Sequence, residues 1–179
     1  MLLERLAIPF NVASPNIDET PHAGETPVQL VDRLAREKAA AVASQFPEAL
    51  IIGSDQVAVL DGKPLSKPGS HDPAVAQLRA MRGRTIEFLT GLAVHSTATG
   101  ATHARVVPFS VEFRQYTDAE IERYLEIEKP YDCAGAAKAE GLGIALIRRM
   151  QGDDPNALIG LPLIALIDLL ALHGCSVLA

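Results

Sequence analysis

Ile51-Ile52-Gly53-Ser54-Asp55-Gln56-Val57 is the stretch on which the fold of this chain turns. An apolar pair runs into two small residues, then an acid, then an amide. The pattern predicts a buried strand over 49–54 that reaches its edge at Gly53-Ser54. Asp55 then sits at the strand's C-terminal end, where open α/β sheets gather their ligands. Val57 to Leu60 reads as a partner strand, turned by Asp61-Gly62.

Outward from this stretch, strands and helices alternate. Ile8 to Ala13 predicts a short strand, and Ser14 to Glu25 a polar loop. Thr26-Pro27-Val28-Gln29 combines a cap, a first-turn proline and a capping-box glutamine, so a helix should run to about Gln45. Leu30, Val31, Leu34 and Val42 mark its buried side. Asp72-Pro73 opens a second helix that stops near Gly83. Thr85 to Ser96 and His103 to Tyr116 read as long strands joined by a turn at Thr99-Gly100. Thr117-Asp118-Ala119-Glu120 is a second capping box, opening a helix that ends near Glu128. A loop of small residues covers Lys129 to Glu140, a strand Gly143 to Met150, and a turn-rich segment Gln151 to Asn156. Pro162 starts the last helix and Gly174 closes it. The expected class is α/β: one domain over 1–179, a mixed twisted sheet flanked by helices.

Composition narrows the function. The chain has 179 residues, enough for one sizeable core. A formal net charge of -6 argues against a nucleic-acid partner, which needs a basic face, but not against a nucleotide held through a cation and local lysines. The most apolar stretch, Leu158 to Leu172, is short and carries Asp168, so a core helix is expected and no membrane partner. Met1 to Leu6 lacks the features of a signal peptide. Cys133 and Cys175 lie far apart with neither metal nor disulfide spacing, which fits a reducing, cytoplasmic setting.

Four polar stations can be lined up into a site for a metal and a string of phosphates. Asp55 can ligate Mg²⁺ or act as base toward a water attacking phosphorus. As an alternative, it is a strand-end acid capping a turn. Asp18 and Glu19 form a carboxylate pair suited to a hard cation, or a solvated turn. Lys67, beside Pro68, can neutralise phosphate charge, although alone it reads as an exposed lysine. Lys38, one turn beyond Leu34, can point inward at a ligand, although alone it reads as a surface lysine lying over apolar neighbours. In Cys133-Ala134-Gly135-Ala136-Ala137-Lys138-Ala139-Glu140-Gly141 the small residues allow close approach of backbone to a ligand. Lys138 and Glu140 bring opposite charges to one mouth, and Glu140 can meet base amino groups or a positively charged base. Cys133 reads as a small buried residue, and Asp153-Asp154-Pro155-Asn156 as a β-turn rather than a metal turn. Gly160-Leu161-Pro162-Leu163 should set a helix start near the site. The chain has neither a Walker A loop nor G-x-G-x-x-G.

Together these stations resemble the Maf family of nucleotide pyrophosphatases, a Maf/ITPase-like fold. The resemblance runs through Ser14-Pro15-Asn16-Ile17-Asp18-Glu19, Leu34-Ala35-Arg36-Glu37-Lys38-Ala39, Ile52-Gly53-Ser54-Asp55-Gln56, Lys67-Pro68, Thr90-Gly91, Phe113-Arg114 and Ile159-Gly160-Leu161-Pro162-Leu163. Many Maf proteins carry Thr at the position of Gln56, and Gly-Ala-Tyr-Gly-like residues in the later loop. Gln56 and the 133–141 loop instead look like the branch that hydrolyses 7-methyl-GTP, whose cationic base suits Glu140.

The resemblance implies a cytoplasmic homodimer that splits a nucleoside triphosphate between its α and β phosphates with a divalent cation, Mg²⁺, Mn²⁺ or similar. Asp55 would be the proton acceptor. Glu19, Lys38, Lys67 and Lys138 would hold phosphate or metal, with Glu19 and Asp55 as metal ligands. Gln56 and Glu140 would set base preference. The alternatives are a dTTP/UTP pyrophosphatase and a non-catalytic nucleotide-binding regulator of cell division. Maf proteins begin with a short strand and a Ser-x-Ser-Pro-x-Arg-Arg-type loop ahead of a helix whose tail corresponds to Leu2-Leu3-Glu4-Arg5-Leu6. That first strand, about 5 residues, and the basic phosphate loop are expected to be missing here, which would leave an open sheet edge.

Overall fold

Thr26 and Gln29 cap each other across the first turn of a helix, as their spacing predicts: the Gln29 amide donates to Thr26 Oγ1 at 3.3 Å and the Thr26 amide to Gln29 Oε1 at 2.9 Å. The computed structural model describes residues 2–179 and runs this helix, α1, over Pro27–Ala41. A separate 3-10 turn at Ala43–Gln45 follows, so the regular helix is shorter than predicted. The same reciprocal cap, Thr117 with Glu120, opens α3 at Asp118–Glu128. The remaining helices are α2 (His71–Met81) and α4 (Leu163–Leu172), the latter preceded by Pro162. None is long and apolar enough to cross a membrane.

Five strands form one sheet: β1 (Leu50–Leu60), β2 (Lys63–Leu65), β3 (Thr85–Ser96), β4 (Thr102–Phe113) and β5 (Ile147–Gln151), in the order β2-β1-β3-β4-β5. Every pairing among the described residues is antiparallel. β1 pairs with β3 from Leu50↔Ser96 to Val59↔Glu87, but meets β2 only over Ala58 to Leu60.

Four expected boundaries move. Ala49–Ser54 and Val57–Leu60 are not a strand and its partner but one strand, so Asp55 lies mid-strand opposite Gly91 rather than at an end. Continuity is possible because Ser54 Oγ reaches the carbonyls of Gly91 (2.9 Å) and Gly160 (2.8 Å), which satisfies the polar group inside the sheet. Ile8 to Ala13 forms no strand. Pro9 has no N–H to give a ladder, and Ile8 and Phe10 instead pack beside α4. Leu142–Leu146 is a 3-10 turn that delays β5 to Ile147. β4 ends at Phe113 rather than running on to Tyr116.

The two faces of the sheet carry different layers. On one, α1 crosses β1 and β3, with Ala39 and Val42 against Ile51. On the other, Leu92 and Val94 meet Leu163, Leu166, Leu169 and Leu170 of α4. Further along that face, Ala58, Ile86, Phe88, Phe109, Val111 and Phe113 meet Leu78 of α2 and Ile121 and Leu125 of α3.

The approach of α1 depends on two absent side chains. A Cβ at Gly53 would lie 2.1 Å from the Ala35 carbonyl oxygen, and one at Gly91 2.0 Å from that of Val31. Helix backbone therefore rides directly on the strands at these points. Gly91→Ala should destabilise the protein by about 3 kcal/mol in urea unfolding, because backbone has to move. Gly100→Ala, in a turn with open space and φ of +73°, should cost only about 1 kcal/mol. Equal losses would contradict this packing.

Candidate active site

Lys38 lies in the last turn of α1, one residue before the Ala39 that seats on Gly53. That seat turns Lys38 toward β1, where Asp55 shares the α1 face with Gly53 by the two-residue period of a strand. Lys38 Nζ stands 2.6 Å from Asp55 Oδ1 and 2.8 Å from Glu19 Oε1. Glu19 Oε2 is in turn 3.8 Å from Nζ of Lys67, in the loop after β2. Four of the predicted residues, from four separate segments, therefore form one cluster. The lysine expected to lie over the surface is largely enclosed, with 17 % of its side chain exposed against 60 % for Lys67.

The charges of this cluster reinforce one another. Burial pushes the Lys38 ammonium down, but hydrogen bonds to Asp55 and Glu19 outweigh it and leave its pKa above the usual lysine value. The Glu19 carboxyl is held below its ordinary value, chiefly by its hydrogen bond to Lys38. Two carboxylates converging on one cation offer hard oxygen donors at a single point. No group of three or more His, Cys, Asp or Glu suited to a metal occurs among the described residues. Glu19 and Asp55 are the oxygen donors that could hold a hard cation here.

Gln56, next in sequence, stands on the opposite face. Its Nε2 donates to Thr90 Oγ1 (3.0 Å) and to the Ala157 carbonyl (2.6 Å), and Thr90 Oγ1 donates to the same carbonyl at 2.8 Å. The segment accepting these bonds is built by Asp154, whose carboxylate receives the amides of Asn156 (2.9 Å) and Ile164 (2.7 Å). Asp154 is thus the N-cap of a 3-10 turn at Pro155–Ile159, one residue on from the β-turn expected at Asp153 to Asn156.

Lys138 and Glu140 stand apart from the Lys38 cluster. Lys138 Nζ pairs with Glu128 of α3 at 2.7 Å, and Glu128 also accepts the Leu142 amide at 2.8 Å, so the small-residue loop is pinned to that helix. Glu140 is exposed, and its charge raises the Lys138 pKa behind the larger effect of Glu128. Burial, then Asp132, pushes the Cys133 thiol up to about 11, which leaves it inert as a nucleophile near neutrality.

Sequence reasoning missed Arg33 and Glu25. Arg33 makes a forked pair with Glu25 (Nε–Oε1 2.7 Å, Nη2–Oε2 2.9 Å), bonds Glu37 at 3.0 Å and donates to the Thr20 carbonyl at 3.2 Å. It thereby clamps the 18–26 loop onto α1 and fixes Glu19 beside Lys38. The only signal was an arginine on a capped helix eight residues from an acid, which is too common to be informative. The Arg33 hydrogen bond, then the His22 amide, holds the Glu25 carboxyl down from 4.5 to about 2. A depressed carboxyl stabilises the fold above its unfolded-state pKa and loses that effect as pH falls through the folded one. Glu25→Gln should therefore be less stable than wild type at pH 7. The gap should close as pH drops from 4.5 toward 2, and urea unfolding across that range measures it.

Comparison with known proteins agrees with the geometry. A sequence profile described as Maf-like protein matches residues 1–173. A 7-methyl-GTP pyrophosphatase of Methylobacillus flagellatus is 59% identical over 177 residues, covering 99% of this chain and 92% of the relative. Proteins of the same name from Pseudomonas syringae pv. tomato and Polaromonas sp. are 56% and 54% identical, covering 98% and 99% of this chain and 92% and 81% of their own. With a family profile over nearly the whole chain and likeness of this extent to these relatives, the chain belongs to the Maf family.

Proposed function

We propose that this protein hydrolyses 7-methyl-GTP to 7-methyl-GMP and pyrophosphate. The observation that carries the reading is the convergence of Asp55, Glu19 and, through Glu19, Lys67 on the Lys38 ammonium. The choice of nucleotide is supported by relatives 54% to 59% identical that are named 7-methyl-GTP pyrophosphatase.

In this reading a water oxygen attacks the α-phosphorus and Asp55 takes the proton it sheds. The bond from the α-phosphorus to the bridging oxygen breaks, and pyrophosphate leaves. Lys38, kept protonated by its two carboxylate neighbours, and Lys67 bind phosphate oxygens and offset the charge that develops on them. Glu19 and Asp55 would hold a Mg²⁺ or Mn²⁺ ion, which would supply further neutralisation of the phosphates. Asp55 and Gln56 stand on opposite faces of β1, so phosphates and base are read from two sides of one strand. Glu140 offers an exposed carboxylate to the positive charge of the methylated base, and Lys138, anchored to Glu128, positions the loop that presents it. A homodimer in the cytoplasm, with neither nucleic acid nor membrane as partner, completes the reading.

Asp55→Asn should lower kcat by about 10²- to 10⁴-fold, the usual weight of a general base. The assay is pyrophosphate release from 7-methyl-GTP beside GTP, dTTP and UTP, with and without Mg²⁺. Turnover retained in Asp55→Asn would remove the base. Preference for dTTP or UTP, or stabilisation by nucleotide without pyrophosphate release, would replace the proposed activity.

A further inference from the structure

Thr90 lies at the centre of β3, 0 % exposed and opposite Gln56. A buried hydroxyl needs partners, and those it has decide which way the Gln56 amide faces. The Ala157 carbonyl can only accept. The group 2.6 Å from it must therefore be the Gln56 NH₂. Thr90 Oγ1 spends its single proton on that carbonyl, so toward Gln56 it can also only accept. Both NH₂ protons are thus committed inside the protein. Gln56 Oε1 takes part in neither bond, which leaves its lone pairs available to accept.

We infer that Thr90, with the Ala157 carbonyl, is the positioning device that sets base selectivity: it holds Gln56 Oε1 outward at a fixed place to accept an N–H from the edge of a guanine. This rests on the reading that Gln56 faces the base. A purine edge stands one ring farther from the ribose than a pyrimidine edge. An acceptor held at one distance separates the two, whereas a swinging one reaches both. A reversed amide would present N–H groups to the donor edge of guanine, and Thr90 and Ala157 prevent that reversal.

The test is kcat/KM for 7-methyl-GTP divided by that for UTP, measured in wild type, Gln56→Ala, Thr90→Val, Thr90→Ser and the double variant Gln56→Ala/Thr90→Val. Thr90→Val, nearly isosteric, should lower the ratio about three- to tenfold, the weight of one hydrogen bond. Thr90→Ser should keep the wild-type ratio. In the Gln56→Ala background Thr90→Val should lower it no further. General damage to the fold would slow both substrates and leave the ratio alone. Should Thr90→Val not fold, Thr90→Cys, whose thiol both donates and accepts more weakly than a hydroxyl, should show a smaller fall. If Gln56→Ala changes the ratio but Thr90→Val does not, the positioning role is wrong and the role of Gln56 stands. If Gln56→Ala leaves the ratio unchanged, both fall. An equal effect of Thr90→Val with and without Gln56 would also overturn the inference.

Discussion

The close approach of α1 to the sheet is the constraint from which the site follows. Helix and strands meet backbone to backbone over Gly53 and Gly91, with no Cβ between them. A wider spacing would leave the Lys38 ammonium in water and Asp55 facing a gap. At the observed spacing a lysine of the last helical turn reaches a carboxylate in the middle of a strand. The cluster is also tethered from outside, because Arg33 on the same helix holds the loop that delivers Glu19. One helix thus supplies the cation, its seat and the clamp for its second partner.

β1 is the other half of the arrangement. Its odd residues face α1 and its even residues face the side covered by α4, α2 and α3. Consecutive residues therefore serve different neighbourhoods: Asp55 is engaged by charge, and Gln56 by neutral hydrogen bonds to Thr90 and Ala157. In the proposed reaction this separates the group that moves a proton from the group that inspects the base. The segment from Asp154 to Gly160 supports the second of these, since it accepts from Ser54, Gln56 and Thr90 at once.

What the sequence revealed follows from range. The capping boxes at Thr26 and Thr117 were legible because three residues contain the whole interaction. Asp55 stood out as an acid after two small residues, and Glu19 only as half of a carboxylate pair in a polar loop. Lys38 and Lys67 each read as ordinary lysines, because what distinguishes them is contact with residues far away in the chain. Gly53 and Ser54 looked like a strand end, since nothing local shows that Gly53 admits a helix or that Ser54 finds carbonyls at Gly91 and Gly160. Ile8 to Ala13 was apolar enough for a strand, and Pro9 was the local warning against it. Lys138 was matched with Glu140 by proximity in sequence, while the fold placed Glu128 nearer.

The most direct test of the central claim is a double-mutant cycle between Lys38 and Asp55, read as kcat/KM for pyrophosphate release from 7-methyl-GTP. Two groups that act as one unit give strongly non-additive losses. Lys38→Met and Asp55→Asn together should therefore be little worse than the more damaging single change. Losses that multiply independently would mean that the contact between them is not part of the chemistry.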